Sequence, residues 1–305
     1  MNEQLTKNFY PGHATCAGCG IPAIVRHVLD EADDSVVVIN ATGCLEVTST
    51  LYPYTAWKVP YIHNAFENAG ATASGVETAY RILKKKKKID KDIKFVIFAG
   101  DGGTYDIGLQ SLSGMLERGH KVLYVNYDNE GYMNTGGQRS GATPYGANMT
   151  TTPASETDIG NKTFRKDLME IVKGHHLEYL AQANVAYIED LRKKTKKAFQ
   201  ALEKGPAFLL VLQPCTNVWK FPTSDYVKVG KLATETNFWP LYEIEKDNYK
   251  INLKIENPKP IEEYLKTQRR FKHLLRPENQ EVVNYIQENI NQRWNKLLKK
   301  AECQF

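Results

Sequence analysis

Four of the five cysteines in this 305-residue chain are spaced so that they could act together. Cys16 and Cys19 form a Cys-x-x-Cys pair on one short loop, and Cys44 and Cys215 stand far along the chain. Four thiolates gathered from a tight loop and distant positions can hold an iron–sulfur cluster, and the same donors can hold a structural zinc ion. The second Cys-x-x-Cys of a common zinc ribbon is missing. Between the third and fourth cysteine lies Gly100-Asp101-Gly102-Gly103, followed by Tyr127-Asp128-Asn129-Glu130-Gly131-Tyr132-Met133-Asn134. Glycines at 100, 102 and 103 let the backbone approach a phosphate, and a following helix offers its N-terminus to an anion. Asp101 supplies a hard oxygen for Mg²⁺, Asn129 a second side-chain oxygen and Gly131 a backbone carbonyl. A lone Gly-Asp-Gly is most often an ordinary turn. A redox centre beside a metal-bound diphosphate is the chemistry that both sets together suggest.

These residues need elements to position them. Gly, Pro and Cys make residues 8–20 an irregular loop, and a helix follows with Pro22 in its first turn and Ile24, Val25, Val28 and Leu29 inward. Short apolar runs over 35–40, 93–99, 121–127 and 207–212 read as strands buried on both faces, with a further strand near 177–182. Helices are predicted over 66–83, 105–118, 164–174 and 188–203, and Gly119 sits where a helix-ending glycine belongs. The many small residues of 66–83 predict a helix packed closely against a neighbour. Residues 45–65 carry turn formers without clear periodicity, and 128–162 reads as a long polar loop.

Strand–helix alternation with two-sided apolar strands predicts an α/β fold: a mostly parallel sheet with helices on both faces. Ligands bind such sheets beyond the carboxyl ends of the strands. Thr42-Gly43-Cys44, Gly100-Asp101-Gly102, Asp128 to Asn134 and Pro214-Cys215 each follow a predicted strand, so four motifs converge on one edge of one sheet. Residues 1–215 are expected to form this domain, and 216–305 an extended C-terminal arm. Within the arm, 216–275 shows little periodicity and 277–301 reads as one charge-rich amphipathic helix that clamps a partner or packs on its own core.

Composition sets few limits: 42% of residues are hydrophobic, 25% are charged, and the formal net charge is +5. The Lys84–Lys88 run could alone supply that excess and reads as a solvated helix end, so no nucleic-acid role is expected. No stretch approaches about 18 apolar residues, and Met1–Lys7 has no apolar core of signal-peptide length. A cytoplasmic location without membrane contact is expected. In that reducing compartment a Cys-x-x-Cys pair points to metal or redox chemistry. Cys303 reads as a spare thiol, and His13 as a structural hydrogen-bonding group.

Gly-Asp-Gly at a strand end, then a helix, a strand and Asn129 at the next strand end, matches the thiamin-diphosphate signature. With it, the chain from about Pro11 to Leu275 closely resembles the β subunits of the pyruvate-type 2-oxoacid:ferredoxin oxidoreductases. The resemblance lies in Gly12-His13-Ala14-Thr15-Cys16-Ala17-Gly18-Cys19-Gly20, in Asn40-Ala41-Thr42-Gly43-Cys44-Leu45-Glu46, in Gly100 to Gly108 and in Tyr132 to Gln138. It continues in Gly141-Ala142-Thr143-Pro144, Trp239-Pro240-Leu241-Tyr242-Glu243 and Pro260-Ile261-Glu262-Glu263-Tyr264. Family members often carry threonine where Asn129 stands, and either side chain offers an oxygen.

The resemblance implies a thiamin-diphosphate-binding fold in which Gly43, Gly100, Gly102 and Gly103 help form the cofactor site. It implies Mg²⁺ on Asp101, Asn129 and the Gly131 carbonyl, and a [4Fe-4S] cluster on Cys16, Cys19, Cys44 and Cys215. It places Asn134 near the thiazolium as the catalytic side chain. The implied reaction is oxidative decarboxylation of a 2-oxoacid, with coenzyme A taking the acyl group and electrons leaving through the cluster to ferredoxin. It also implies partners: an α-type subunit carrying the glutamate that activates the aminopyrimidine, with γ-type and ferredoxin-like δ-type subunits or domains. Pyruvate is the expected substrate, with oxalate, 2-oxoisovalerate or an aryl pyruvate as alternatives. A zinc-stabilised, non-catalytic assembly subunit is a different class of reading, and intact Asp101, Asn129 and Asn134 argue against it. His63, Asn64 and Glu67 fall near the implied pocket without an assigned role.

Overall fold

The computed structural model describes residues 8–32 and 35–303. Residues 1–7, where the absence of a signal segment is expected, lie outside the described residues. The chain runs through α1 (Ile21–Asp30), β1 (Val36–Ala41), α2 (Cys44–Ser49), β2 (Tyr61–Asn64), α3 (Ala69–Lys85) and β3 (Lys94–Ala99). It continues through α4 (Gly102–Tyr105), α5 (Leu109–Glu117), β4 (Val122–Asp128), α6 (Leu168–Lys173), β5 (Tyr179–Asn184), α7 (Ile188–Ala201) and β6 (Ala207–Leu212). The remainder forms α8 (Tyr226–Glu235), β7 (Leu241–Glu245), β8 (Asn248–Leu253), α9 (Ile261–Leu265) and α10 (Gln280–Glu302).

The strands form one sheet in the order β2-β1-β3-β4-β6-β5-β7-β8. The first six are parallel, and β7 and β8 join the β5 edge antiparallel. This is the α/β architecture the apolar runs predict. Every residue of β4, β5 and β6 is buried, because helices cover both faces and no face is left for polar alternation. One core, around Tyr124, Phe208 and Leu210, lies under α3, α5 and the C-terminal helices. The other, around Phe98, Val125 and Leu209, lies under α1 and α7. Parallel register brings the strand ends together: Asp128 at the end of β4 stands beside Leu212 at the end of β6.

Three expectations change in detail. The helix expected over 105–118 is broken into α4 and α5. Asp106 leaves helical geometry (φ −120°, ψ −104°) because its carboxylate accepts hydrogen bonds from the Gly141 N–H (2.9 Å) and the Tyr132 hydroxyl (3.1 Å). Gly108 then passes so close to the Gly103 carbonyl that a Cβ would sit 1.9 Å from that oxygen. Residues 45–65 form α2 and the edge strand β2, both too short to show a period. Residues 216–275 contribute α8, α9 and the β7–β8 hairpin, whose turn residues Lys246 and Asp247 both adopt positive φ. The C-terminal helix α10 packs on its own chain through Val283, Ile286, Ile290 and Leu297.

The small residues of α3 do bring a neighbour close, at one position. A Cβ on Gly70 would lie 2.6 Å from the Ser111 carbonyl of α5, whereas one on Gly75 would meet nothing within 4 Å. Gly70→Ala should therefore destabilise the protein. Gly75→Ala should stabilise it by about 0.5–1 kcal/mol by removing backbone freedom from the unfolded chain. Chemical denaturation of both variants checks the pair. Equal shifts of the same sign would contradict the helix contact.

Candidate active site

The carboxyl ends of β1, β3 and β4 open on a narrow cleft. Thr42, Gly43 and Cys44 form one wall, Gly100, Asp101 and Gly102 a second, and Asn129, Gly131 and Tyr132–Thr135 a third. Gly102 is needed for closeness: a Cβ there would stand 2.2 Å from the Tyr132 ring. Gly103 packs behind the cleft, against the Phe66 carbonyl and the methyls of Ala41 and Ala99, and does not line it.

Asp101 is fully buried. Its carboxylate accepts hydrogen bonds from the N–H groups of Asn129 (3.3 Å) and Gly131 and from the Ser140 hydroxyl (3.3 Å). Burial, then the nearby Asp128 carboxylate, push its pKa well above the usual carboxylate range, and the Gly131 N–H and Arg165 only partly oppose this. A carboxylate so placed gains from a cation. Asn129 presents the matching donor: its Oδ1 is buried without a hydrogen-bond partner. A hard divalent ion would satisfy both oxygens. Asn134 is exposed on the cleft wall.

A buried ion network holds the loop that carries these groups. Glu130 adopts a left-handed backbone (φ 67°), which costs a non-glycine residue about 1 kcal/mol or more. Its carboxylate pairs with Arg270 and with Arg165 (3.2 Å), and Arg165 also pairs with Asp128. The Tyr105 hydroxyl donates to Asp128 at 2.6 Å. Arg270 lies 3.8 Å over the Trp219 ring, and the Trp219 indole N–H donates to the Asn129 carbonyl at 3.0 Å. The sequence reading missed Arg165, Arg270 and Trp219. Nothing in their local spacing marks them, since they come from the long loop and from the arm.

The cysteines gather beside the same cleft. Cys19 sits in the loop before α1, Cys44 opens α2, and Cys215 follows β6. The Thr216 hydroxyl donates to the Ala17 carbonyl (3.1 Å) and joins the Cys16–Cys19 loop to the Cys215 loop. Burial pushes the Cys19 thiol up to about 12, the Ile21 N–H opposes this, and Cys215 and Cys16 add to it. Cys44 is raised by burial and then by Cys215, Cys19 and Cys16. Cys215 is raised by burial, while the N–H groups of Val218 and Asn217 favour its thiolate. The four sulfurs thus lie within electrostatic reach of one another. Among the described residues, no group of three or more His, Cys, Asp or Glu side chains is gathered closely enough to hold a metal ion. Cys16 is exposed and the other three are partly buried, with N–H donors at Cys19 and Cys215; four sulfurs that would repel one another as thiolates fit a polynuclear cationic group.

The other flagged residues fall outside the cleft. His63 Nδ1 pairs with Glu46 at 2.7 Å, Asn64 binds backbone within β2, and Glu67 is exposed. His13 stacks on Phe9 at 5.5 Å and contacts Thr15 and Arg26, and burial followed by Arg26 lowers its pKa. Cys303 is exposed. No described helix is long and apolar enough to cross a membrane.

Residues 41–211 match the family model of the C-terminal TPP-binding domain of thiamine pyrophosphate enzymes. The chain is 53% identical over 293 residues to the pyruvate synthase subunit PorB of Thermotoga maritima, covering 94% of this chain and 90% of that protein. It is 42% identical over 298 residues to the ketoisovalerate oxidoreductase subunit VorB of Pyrococcus abyssi, covering 97% and 94%. Among solved structures it resembles a 2-oxoglutarate:ferredoxin oxidoreductase from Magnetococcus marinus, at 25% identity with a TM-score of 0.57, covering 70% of this chain and 68% of that one.

Removing one partner of the buried network leaves a charge stranded. Arg270→Ala should cost about 3–5 kcal/mol. Adding Glu130→Gln to Arg270→Ala should recover much of that loss. Denaturation midpoints of the single and double variants test this, and strictly additive losses would contradict the coupling.

Proposed function

The chain belongs to the PorB-type β subunits of the 2-oxoacid:ferredoxin oxidoreductases, thiamine pyrophosphate enzymes, and from that premise we propose that it is the diphosphate-binding, electron-collecting subunit of a pyruvate synthase. The reaction converts pyruvate, coenzyme A and two oxidised ferredoxins into acetyl-CoA, carbon dioxide, two reduced ferredoxins and a proton. One observation carries the reading: Cys44 and the Asp101–Asn129 pair are walls of the same cleft. A redox group held through Cys44 would therefore adjoin a diphosphate held by Mg²⁺ on Asp101 and Asn129.

On this reading Asp101, Asn129 and the Gly131 carbonyl hold Mg²⁺, and Gly43, Gly100 and Gly102 leave room for the diphosphate. Thiamin diphosphate, when bound, supplies the electron sink for decarboxylation. Asn134, polar and exposed on the wall, orients the substrate's oxygens by hydrogen bonding. Phe66, Tyr132 and Met133 border the cleft with apolar surface and limit water there. Cys16, Cys19, Cys44 and Cys215 hold a [4Fe-4S] cluster that removes electrons singly. An α-type subunit completes the cofactor site with its glutamate, and γ-type and δ-type subunits carry electrons on to ferredoxin. Identity to a ketoisovalerate enzyme subunit keeps a branched-chain 2-oxoacid as the second reading.

The complex purified without oxygen from its host should contain iron, sulfide and thiamin, and should reduce viologen fastest with pyruvate. Zinc in place of iron with no thiamin would overturn the proposal. A preference for 2-oxoisovalerate would replace the substrate and keep the site. Asp101→Ala should abolish thiamin diphosphate retention with iron content unchanged. Cys215→Ser should strip iron from the subunit, and an unchanged iron content would remove Cys215 from the ligand set.

A further inference from the structure

Tyr127 carries a polar group that the proposed mechanism does not use. It is buried one residue before the end of β4; its oxygen faces the Leu45 backbone N–H, next to Cys44, and its hydroxyl proton has no acceptor among the described residues. A buried donor left unpaired is destabilising. The ring lies under two glycines of the cleft. A Cβ on Gly43 would be 2.9 Å from the hydroxyl, and one on Gly100 would be 3.1 Å from the ring. The hydroxyl therefore sits beneath the turn that delivers Cys44.

Two observations decide which neighbour it serves. The first is the sheet face. Tyr127 packs with Val125 and Leu123 in the core under α1, against which Cys19 packs and which Cys44 touches from between the two cores, whereas Tyr105, the partner of Asp128, belongs to the opposite core. The second is the donor pattern around the sulfurs. The Gln213 amide donates to Cys19 Sγ (3.8 Å) and the Val218 N–H to Cys215 Sγ (3.5 Å), while among the described residues Cys44 Sγ receives no hydrogen bond. Burial and then the neighbouring Cys44 raise the Tyr127 pKa, and the Leu45 N–H opposes them.

We propose that the Tyr127 hydroxyl donates a hydrogen bond to a sulfur of the redox group held through Cys44, making Tyr127 a positioning residue that sets the potential of the first electron acceptor. The inference rests on the reading of the four cysteines as cluster ligands. A hydrogen bond to sulfur stabilises the extra negative charge of the reduced state and so raises the potential.

The test is Tyr127→Phe in the intact complex, with iron, sulfide and thiamin counted and the cluster titrated by redox potentiometry under electron paramagnetic resonance. Iron and thiamin contents should match wild type, and the midpoint potential should move to a more negative value. An unchanged potential overturns the proposal: with weakened thiamin retention the hydroxyl serves the diphosphate, and with nothing altered the ring only packs. Should Tyr127→Phe lose the cluster, Tyr127→3-fluorotyrosine keeps the shape and strengthens the donor. Its potential should move to a more positive value, and no shift overturns the proposal. Zinc in the wild-type complex would overturn the cysteine reading itself, a result distinct from an iron-loaded complex whose potential ignores Tyr127.

Discussion

A buried imbalance of charge governs this site. Asp101, Asp128 and Glu130 are carboxylates almost without solvent contact, and the guanidiniums packed among them are Arg165 and Arg270. Asp128 and Glu130 take both cations. Asp101 is left with N–H and hydroxyl donors and a raised pKa. A buried carboxylate without a counter-charge is tolerated poorly, because desolvation outweighs what neutral donors return. On the proposed reading a divalent cation, bridged to a diphosphate, completes the balance. The unpartnered Oδ1 of Asn129 faces the same need from the other side.

The same network joins the two halves of the proposed chemistry. Arg270 stacks on Trp219, the Trp219 indole N–H donates to the Asn129 carbonyl, and the Trp219 backbone N–H donates to the Cys215 carbonyl at 3.1 Å. The loop after β6 and the loop after β4 therefore share supports. A shift in one is felt by the other, since the packing between them is dense and the hydrogen bonds are buried. The 3-10 turn Arg269–Leu275 supplies Arg270 from the C-terminal segment, so that segment takes part in the architecture of the site.

The thiamine pyrophosphate family model spans 41–211, the stretch that holds the Asp101 and Asn129 loops. The Cys16–Cys19 loop and Cys215 lie just outside it on either side. Cys44 lies inside that stretch, so the four cysteines come from within it and from both of its flanks.

The chain's sequence by itself determined the sheet, because two-sided apolar strands alternating with helices allow few other arrangements. It also determined which residues could bind: cysteines, glycines and Asp101 have chemistry that shows in their type and spacing. Tertiary structure decided the rest. Arg165 and Arg270 look like surface arginines in one dimension, and only folding brings them under the loop after β4. Tyr127 reads as one more core aromatic of β4, and its hydroxyl proton without an acceptor beneath Gly43 exists only once β1 and β4 lie two strands apart in one sheet. Gly103 looks equivalent to Gly102 in sequence, yet the turn into α4 puts one in the cleft and the other behind it. Local spacing records what a residue can do. Long-range packing sets what it meets, and that depends on contacts between distant segments, such as Glu130 with Arg270, 140 residues apart, and Ala17 with Thr216, 199 apart.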